Sequence, residues 1–290
     1  MSKQLRYQHV DVFSAQAYGG NSLPVFTDTR DLSNTQMLAI TQELRHFEAI
    51  FLEPATAHNL FRTHVFDLFG ELPFAGHPII GAAAVLHRDS GLPAPQTWYF
   101  ELSGKTVSVT TEATEHGYFG MLDQGAPEFL GLVDDQLGIA KAFDLDAADL
   151  HDTLPLEVVS TGLRYLIVPL RAGVIGRARI SIDISRLIET FGAQFAVLFD
   201  AANFEIRHWN NDGIIEDIAT GSAAGTIGAY CLKHGCVSAG TPFILQQGRY
   251  AGRPSKLRVQ PEGSAENILT VKVGGDVAFV GHGTIQVPPP

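Results

Sequence analysis

The sequence predicts an α+β fold of two pseudo-symmetric halves, each a curled mixed β-sheet wrapped around a central buried helix. Three observations predict it. The run Ile79-Ile80-Gly81-Ala82-Ala83-Ala84-Val85-Leu86 carries no charge and little bulk, which suits a helix enclosed on every side rather than one with a wet face. A second small-residue run, Ser222-Ala223-Ala224-Gly225-Thr226-Ile227-Gly228-Ala229-Tyr230-Cys231-Leu232, also follows a glycine. Gly76 and Gly221 lie 145 positions apart, half of the 290-residue chain, as a duplicated unit would place them. Around these helices, strand patterns outnumber helical ones.

In chain order, residues 5–13 have strand character and lead through the Gly19-Gly20-Asn21 turn to a short strand around 23–26. Ser33-Asn34-Thr35-Gln36 is a capping-box signature. Met37, Leu38, Ile40, Thr41 and Leu44 recur at helical spacing, so residues 34–45 read as an amphipathic surface helix. Phe47-Glu48-Ala49-Ile50-Phe51-Leu52 is a β-rich apolar run holding one carboxylate, and a strand at about 59–67 follows. Glu71 to Gly81 reads as a strand end, a tight turn and the first turn of the buried helix, with His77 at the N-cap and Pro78 at the first helical position. Strands are expected at 97–103, 106–111 and 117–123, the first two joined by a Ser103-Gly104-Lys105 hairpin turn.

Gln124-Gly125-Ala126-Pro127 breaks the pattern and marks the candidate domain boundary, where cleavage should be tolerated better than within 78–88. Beyond it, a helical region covers roughly 133–150 and strands follow near 156–160 and 164–169. Ile184, Leu187, Ile188 and Phe191 mark another amphipathic helix. Strands near 195–199 and 203–209 precede the second buried helix, with Ser222 as its N-cap candidate. Strands near 242–247, 256–260, 268–273 and 276–280 close the chain, with Gly274-Gly275 as a break between the last two. Both buried helix starts offer N–H groups and a partial positive charge suited to a small carboxylate.

Composition limits the partners. With 31 acidic against 20 basic residues the net charge is −11, which argues against general affinity for nucleic acid or an anionic membrane. Met1-Ser2-Lys3-Gln4-Leu5-Arg6-Tyr7 lacks an apolar signal core, and no uncharged apolar run reaches the roughly 18 residues of a membrane span, so a cytoplasmic location is expected. Cys231 and Cys236 fit neither a zinc pair nor a disulfide framework and read as buried small hydrophobes. The eleven histidines are scattered, and none pairs at His-x-x-x-His spacing, so no catalytic metal is expected.

Leu72-Pro73-Phe74-Ala75-Gly76-His77-Pro78, Glu216-Asp217-Ile218-Ala219-Thr220-Gly221-Ser222-Ala223-Ala224-Gly225 and Gln247-Gly248 with Gly252-Arg253-Pro254-Ser255 resemble the PhzF-type phenazine-biosynthesis isomerases, relatives of diaminopimelate epimerase. Asp11-Val12-Phe13 with Gly19-Gly20-Asn21, and Gly281-His282-Gly283-Thr284, fit the same pattern, which spans essentially the whole chain. The resemblance implies that the last strands return to the first domain. Residues 1–125 with about 276–290 would then form one domain and 126–275 the other, with the active site in the cleft between them. It also implies a small-molecule carboxylate as substrate and, with the base rate for oligomers, a homodimer.

Glu48 lies among Phe47, Ala49, Ile50 and Phe51, where desolvation would raise its pKa and make it a proton carrier near neutral pH. It could equally occupy the wet face of a half-exposed strand. The resemblance places the family's proton-shuttling Glu here, although the usual Ser-Glu-Thr-Thr surroundings are replaced by Phe47-Glu48-Ala49-Ile50. His77 reads as a helix cap, or by resemblance as a second proton-transfer or substrate-orienting group. Asp217 reads as a turn cap, and by resemblance as a site carboxylate. Ser222 reads as an N-cap that binds substrate together with the helix N–H groups, so Gly76, Gly221 and Ser222 form the expected substrate-binding set.

Diaminopimelate-type epimerases place a cysteine on each side of the substrate, at the positions held here by Ala75 and Thr220. Neither residue can exchange a carbon-bound proton. A single carboxylate moving a proton between two carbons of a cyclic or unsaturated carboxylic acid is therefore favoured over two-base racemisation, and that reaction needs no cofactor. Two rivals use the same residues. Ser222, His77 and Asp217 have the composition of a hydrolase triad, although Gly221-Ser222-Ala223-Ala224-Gly225 lacks the Gly-x-Ser-x-Gly elbow. A non-catalytic binder of small carboxylates is the other.

Overall fold

Parallel strands need a crossover between them, and that requirement organises this chain. The computed structural model describes residues 4–289, so the part of the N-terminal reading that falls on residues 1–3, and the domain limits at 1 and 290, lie outside the described residues. These form two compact units. One runs up to Asp123 and resumes at Gly274, and the other is Gln124–Val273.

The first unit contains β1 (Gln4–Val12), β2 (Asn21–Phe26), α1 (Asn34–Leu44), β3 (Glu48–Pro54), β4 (Leu60–Asp67), β5 (Glu71–Leu72), α2 (Gly76–Ser90), β6 (Gln96–Glu101), β7 (Thr106–Thr114) and β8 (Gly117–Asp123). The second contains β9 (Glu128–Leu132), α3 (Gln136–Ala142), β10 (Glu157–Ser160), β11 (Arg164–Leu170), α4 (Ser185–Glu189), β12 (Phe195–Asp200), β13 (Glu205–His208), α5 (Gly221–Lys233), β14 (Phe243–Gln247) and β15 (Ser255–Gly263). The last strand, β16 (Ile268–Gln286), begins in the second unit and ends in the first.

In the first unit the sheet order is β1-β2-β3-β4-β6-β7-β8. β2 and β3 are parallel, bridged by α1, and β4 and β6 are parallel, bridged by α2. β16 pairs antiparallel with β1 from Gln4↔Gln286 to Val12↔Val277 and also neighbours β8. The sheet thus closes on itself around α2, which is buried from Gly76 through His87. In the second unit, β15-β14-β13-β12-β11-β10-β9 repeats the scheme. The parallel pair β11 and β12 is bridged by the stretch holding α4, and the parallel pair β13 and β14 is bridged by α5. α5 is buried from Gly221 through Leu232. Each unit therefore uses its second crossover as its central helix, the architecture expected from the two small-residue runs.

Small residues let the strands approach these helices. A Cβ built at Gly81 would lie 2.6 Å from Leu23 Cδ2 and 2.9 Å from Val12 Cγ2, and one at Gly228 would lie 2.5 Å from Val259 Cγ1. The outer faces carry their own cores. Met37 and Ile40 of α1 pack with Leu5, Phe26, Phe51 and Phe66, while Ile139 and Ala140 of α3 pack with Val158, Leu166 and Leu198. α1 starts as expected, with Ser33 and Gln36 in a reciprocal capping box, and stops where Arg45 turns left-handed at φ 59°.

Several expectations need correction. Gly274-Gly275 does not interrupt the last strands, because β16 runs straight through it. The glycine there serves close approach: a Cβ at Gly274 would meet Gly120 O and lie 3.0 Å from Met121 Cα. The region 133–150 holds only α3 and a single 3-10 turn at Ala147–Asp149, and the helix around 184–191 shortens to the five residues of α4. Helical spacing of apolar residues in these stretches records packing on the sheet rather than long helices. Gln124 is buried, and its N–H donates to Val271 O at 3.0 Å, so the 124–127 junction is anchored at its start. Cys231 is buried as expected, but Cys236 is only half-buried. Among the described residues no helix is long and apolar enough to cross a membrane.

Candidate active site

In the first unit, the start of the central helix is open at its own cap. α2 begins at Gly76 with Ala75 as its N-cap, in extended conformation (φ −150°, ψ 131°) and with no side-chain cap bond. His77 is therefore the second helical residue, not the cap, and Pro78 is the third. Alanine has no side-chain acceptor, so the cap position leaves the helix-start N–H groups and their partial positive charge to other partners.

Glu48, the first residue of β3, is 7% exposed, and His77 is 4% exposed. The wet-face alternative for Glu48 is thereby excluded. β3 pairs with the parallel neighbour β2 at Val25↔Ile50, which sets Glu48 near the start of both strands. Glu48 Oε2 lies 3.5 Å from His77 Nδ1. Asn21, the first residue of β2 and 1% exposed, has its Nδ2 3.4 Å from the same nitrogen. These two neighbours make opposite demands on His77. The Asn21 amide can donate only to a bare Nδ1, whereas the Glu48 carboxylate can accept only from a protonated one. An imidazole bare at Nδ1 addresses Asn21, and one protonated there addresses the Glu48 carboxylate.

In the second unit, α5 begins at Gly221 with Thr220 as its N-cap, also extended (φ −106°, ψ 92°) and again without a side-chain cap bond. Ser222 is the second helical residue, so its N-cap assignment is corrected in the same way as that of His77. Thr220 does not cap because its hydroxyl is engaged elsewhere: it donates to Asp217 Oδ2 at 2.5 Å and accepts from Gln247 Nε2 at 2.9 Å. Gln247, 1% exposed, braces this turn further. Its Oε1 accepts from the Thr220 N–H at 2.8 Å, and its Nε2 also donates to Asp217 O at 2.9 Å.

Ser222 Oγ lies 2.8 Å from the Tyr165 hydroxyl. Gln124 donates to Gly221 O at 2.8 Å while accepting from Thr161 Oγ1 at 2.7 Å. A Cβ at Gly225 would collide with Gln124 Oε1, so only a glycine lets this amide reach the first turn. His208 stands behind Asp217. Burial lowers its pKa, against the opposing pull of the Asp217 charge, and its Nδ1 lies 2.9 Å from Ala196 O. A neutral ring donating from Nδ1 satisfies both observations.

Glu48 and His77 are thus brought together in the first unit. In the second, Asp217, Gly221 and Ser222 share one helix start. Asn21, Gln124, Thr161, Tyr165, His208 and Gln247 belong to these clusters without having been assigned a role from sequence. Asn21 and Gln247 sit in the quoted motifs, so a signal existed for them. Tyr165 lies in an apolar strand that betrays no partner, and Gln124 reads as part of a linker.

A family profile described as phenazine biosynthesis-like protein matches residues 10–283. The trans-2,3-dihydro-3-hydroxyanthranilate isomerase of Pseudomonas chlororaphis is 31% identical over 292 residues, covering 96% of this chain and 98% of that one. A solved structure, a predicted epimerase from Pseudomonas aeruginosa, superposes with a TM-score of 0.92 at 42% identity, covering 97% of this chain and 99% of that one. A hydroxyproline epimerase from Agrobacterium vitis, 12% identical with a TM-score of 0.68, covers 100% of this chain and 95% of that one and shares the fold alone. The fold is thus the diaminopimelate epimerase-like one, and the chain belongs to the phenazine biosynthesis-like PhzC-PhzF family and is an isomerase.

Proposed function

We propose that the protein isomerises a small cyclic or unsaturated carboxylic acid by moving one proton between two of its carbons, with Glu48 as the carrier. The observation that carries this reading is the buried Glu48 carboxyl 3.5 Å from His77 in the first turn of a helix whose cap residue supplies no side-chain acceptor. Glu48 takes a proton from a saturated carbon next to the double bond, and the C–H electron pair becomes the new double bond. The displaced π pair then accepts the same proton at the far carbon. No electrons leave the substrate, so a group that accepts and returns a proton supplies the chemistry. His77 orients Glu48 and takes up charge as it changes protonation. Asp217 is the second site carboxylate, and Gly76, Gly221 and Ser222 hold the substrate through helix-start N–H groups and the Ser222 hydroxyl.

The Pseudomonas chlororaphis relative is named for a ring-bearing carboxylate, and that class is the one extended to this chain. The hydrolase reading loses ground because the Ser222 hydroxyl is paired with the phenol of Tyr165 rather than with a base.

The test is a screen of cyclic and unsaturated carboxylic acids in heavy water, following deuterium into substrate or product. Glu48→Gln keeps size and polarity but cannot act as a base, and it should slow isomerisation at least about a hundredfold while leaving the melting temperature nearly unchanged. Full activity in Glu48→Gln would refute the assignment. A ligand that raises the melting temperature without any exchange would favour the binding-protein reading.

A further inference from the structure

Helix α5 ends in a Schellman turn. Gly235 is left-handed at φ 73°, its N–H reaches Leu232 O at 3.3 Å, and the Cys236 N–H reaches Cys231 O at 2.8 Å. Such turns ordinarily bring two apolar side chains together at these two places, and here both are cysteines. Adding about 1.5 Å from nitrogen to its α-carbon and about 2.4 Å from the carbonyl oxygen to its own to that 2.8 Å bond holds the two α-carbons within about 6.7 Å. A disulfide tolerates up to about 6.8 Å. Each thiol shifts the acidity of the other. The chain has no other cysteine.

We propose that Cys231 and Cys236 form an oxidation site at which a hydroperoxide is reduced and the two sulfurs join. The half-buried Cys236 attacks the peroxide oxygen, the O–O bond breaks, and a hydroxide or alkoxide leaves. The resulting Cys236 sulfenic acid is then attacked by the Cys231 sulfur, expelling water and forming the S–S bond. Two electrons pass from the sulfurs to the peroxide, and the two thiol protons end in water or alcohol. The Cys231 side chain brings the Cys236 thiol down to about 7, and burial pushes that of Cys231 well up, so the accessible sulfur is the nucleophile and the enclosed one the resolver. The product ring clamps the C-terminal turn of the helix whose first turn carries Ser222.

The test uses the full chain, hydrogen peroxide, and trypsin, which cuts after Lys233 between the two cysteines. Oxidised protein should yield one species in which the two tryptic peptides are joined by a disulfide, lighter than their sum by two hydrogens. Before oxidation, alkylation of Cys236 should titrate with a midpoint of about 7. Cys231→Ala should leave a Cys236 sulfenic acid that dimedone traps and should move the alkylation midpoint upward, while Cys236→Ser should leave Cys231 reduced. The wild-type readouts decide the matter even if a variant fails to fold. Peroxide-treated protein without the joined peptides, crosslinks only between chains, or a wild-type midpoint above 8 would each overturn the proposal.

Discussion

Gln247 satisfies three polar groups of the turn before α5 from one buried amide, so its loss strands them where water does not reach. Gln247→Ala should destabilise the protein by about 2 kcal/mol or more, read as a lower urea midpoint at unchanged slope. His208 gives a pH signature. Its folded pKa lies below its ordinary value near 6.5, so between the two values the unfolded chain binds the proton that the native chain refuses. Its contribution is complete above about pH 6.5 and is lost as the pH falls through that window, by up to about 1.4 kcal/mol per pH unit. The melting temperature should fall more steeply from pH 7 to pH 5 in the parent than in His208→Gln. Equal slopes would show that another group carries the dependence. At this scale the sequence left Glu48 either buried in its apolar run or on a wet face, and the fold shows it buried. The sequence was silent on Tyr165, because a phenol in a strand shows its partner only once Ser222 has been folded toward it.

The two central helices depend on glycines that carry no motif of their own. At Gly228 an added methyl meets the γ-carbons of Val259 and Val271 at 2.5 and 2.8 Å, and β-branched side chains have little rotamer freedom with which to yield. Overpacking of about 1–3 kcal/mol should exceed the roughly 1 kcal/mol that alanine gains over glycine in a helix. Gly228→Ala should therefore lower the melting temperature, whereas Gly104→Ala, with open space around it, should leave it nearly unchanged. Elements with a local cause were legible: the Ser33 box began α1, and two uncharged runs announced α2 and α5. The helix starts were misread by two residues at His77 and by two at Ser222. A polar side chain after a glycine looks like a cap, and only the folded chain shows that Ala75 and Thr220 occupy that position. The same ambiguity made Gly274-Gly275 look like a break, since a glycine pair signals either a turn or a close approach, and strand register decides which.

At the scale of the whole molecule, the halving of the chain was visible in the spacing of Gly76 and Gly221, but the length and continuity of β16 were not. That strand supplies the first unit with its partner for β1 along Val277 to Gln286. A chain ending at Val273 should lose hydrogen-exchange protection at the β1 amides that pair with β16, while the second unit keeps protected amides in β11 and β12. Full protection of Gln4–Val12 in that truncation would show that the pairing is dispensable. For a ribosome the consequence is an inverted order of completion. The segment emerging first cannot finish its sheet until residues more than 150 positions later have been added, which at about 5–20 residues per second is a wait of roughly 8–30 s. During that interval, the segment containing Glu48 and His77 is exposed as an unfinished edge to whatever nascent-chain chaperones the cell provides.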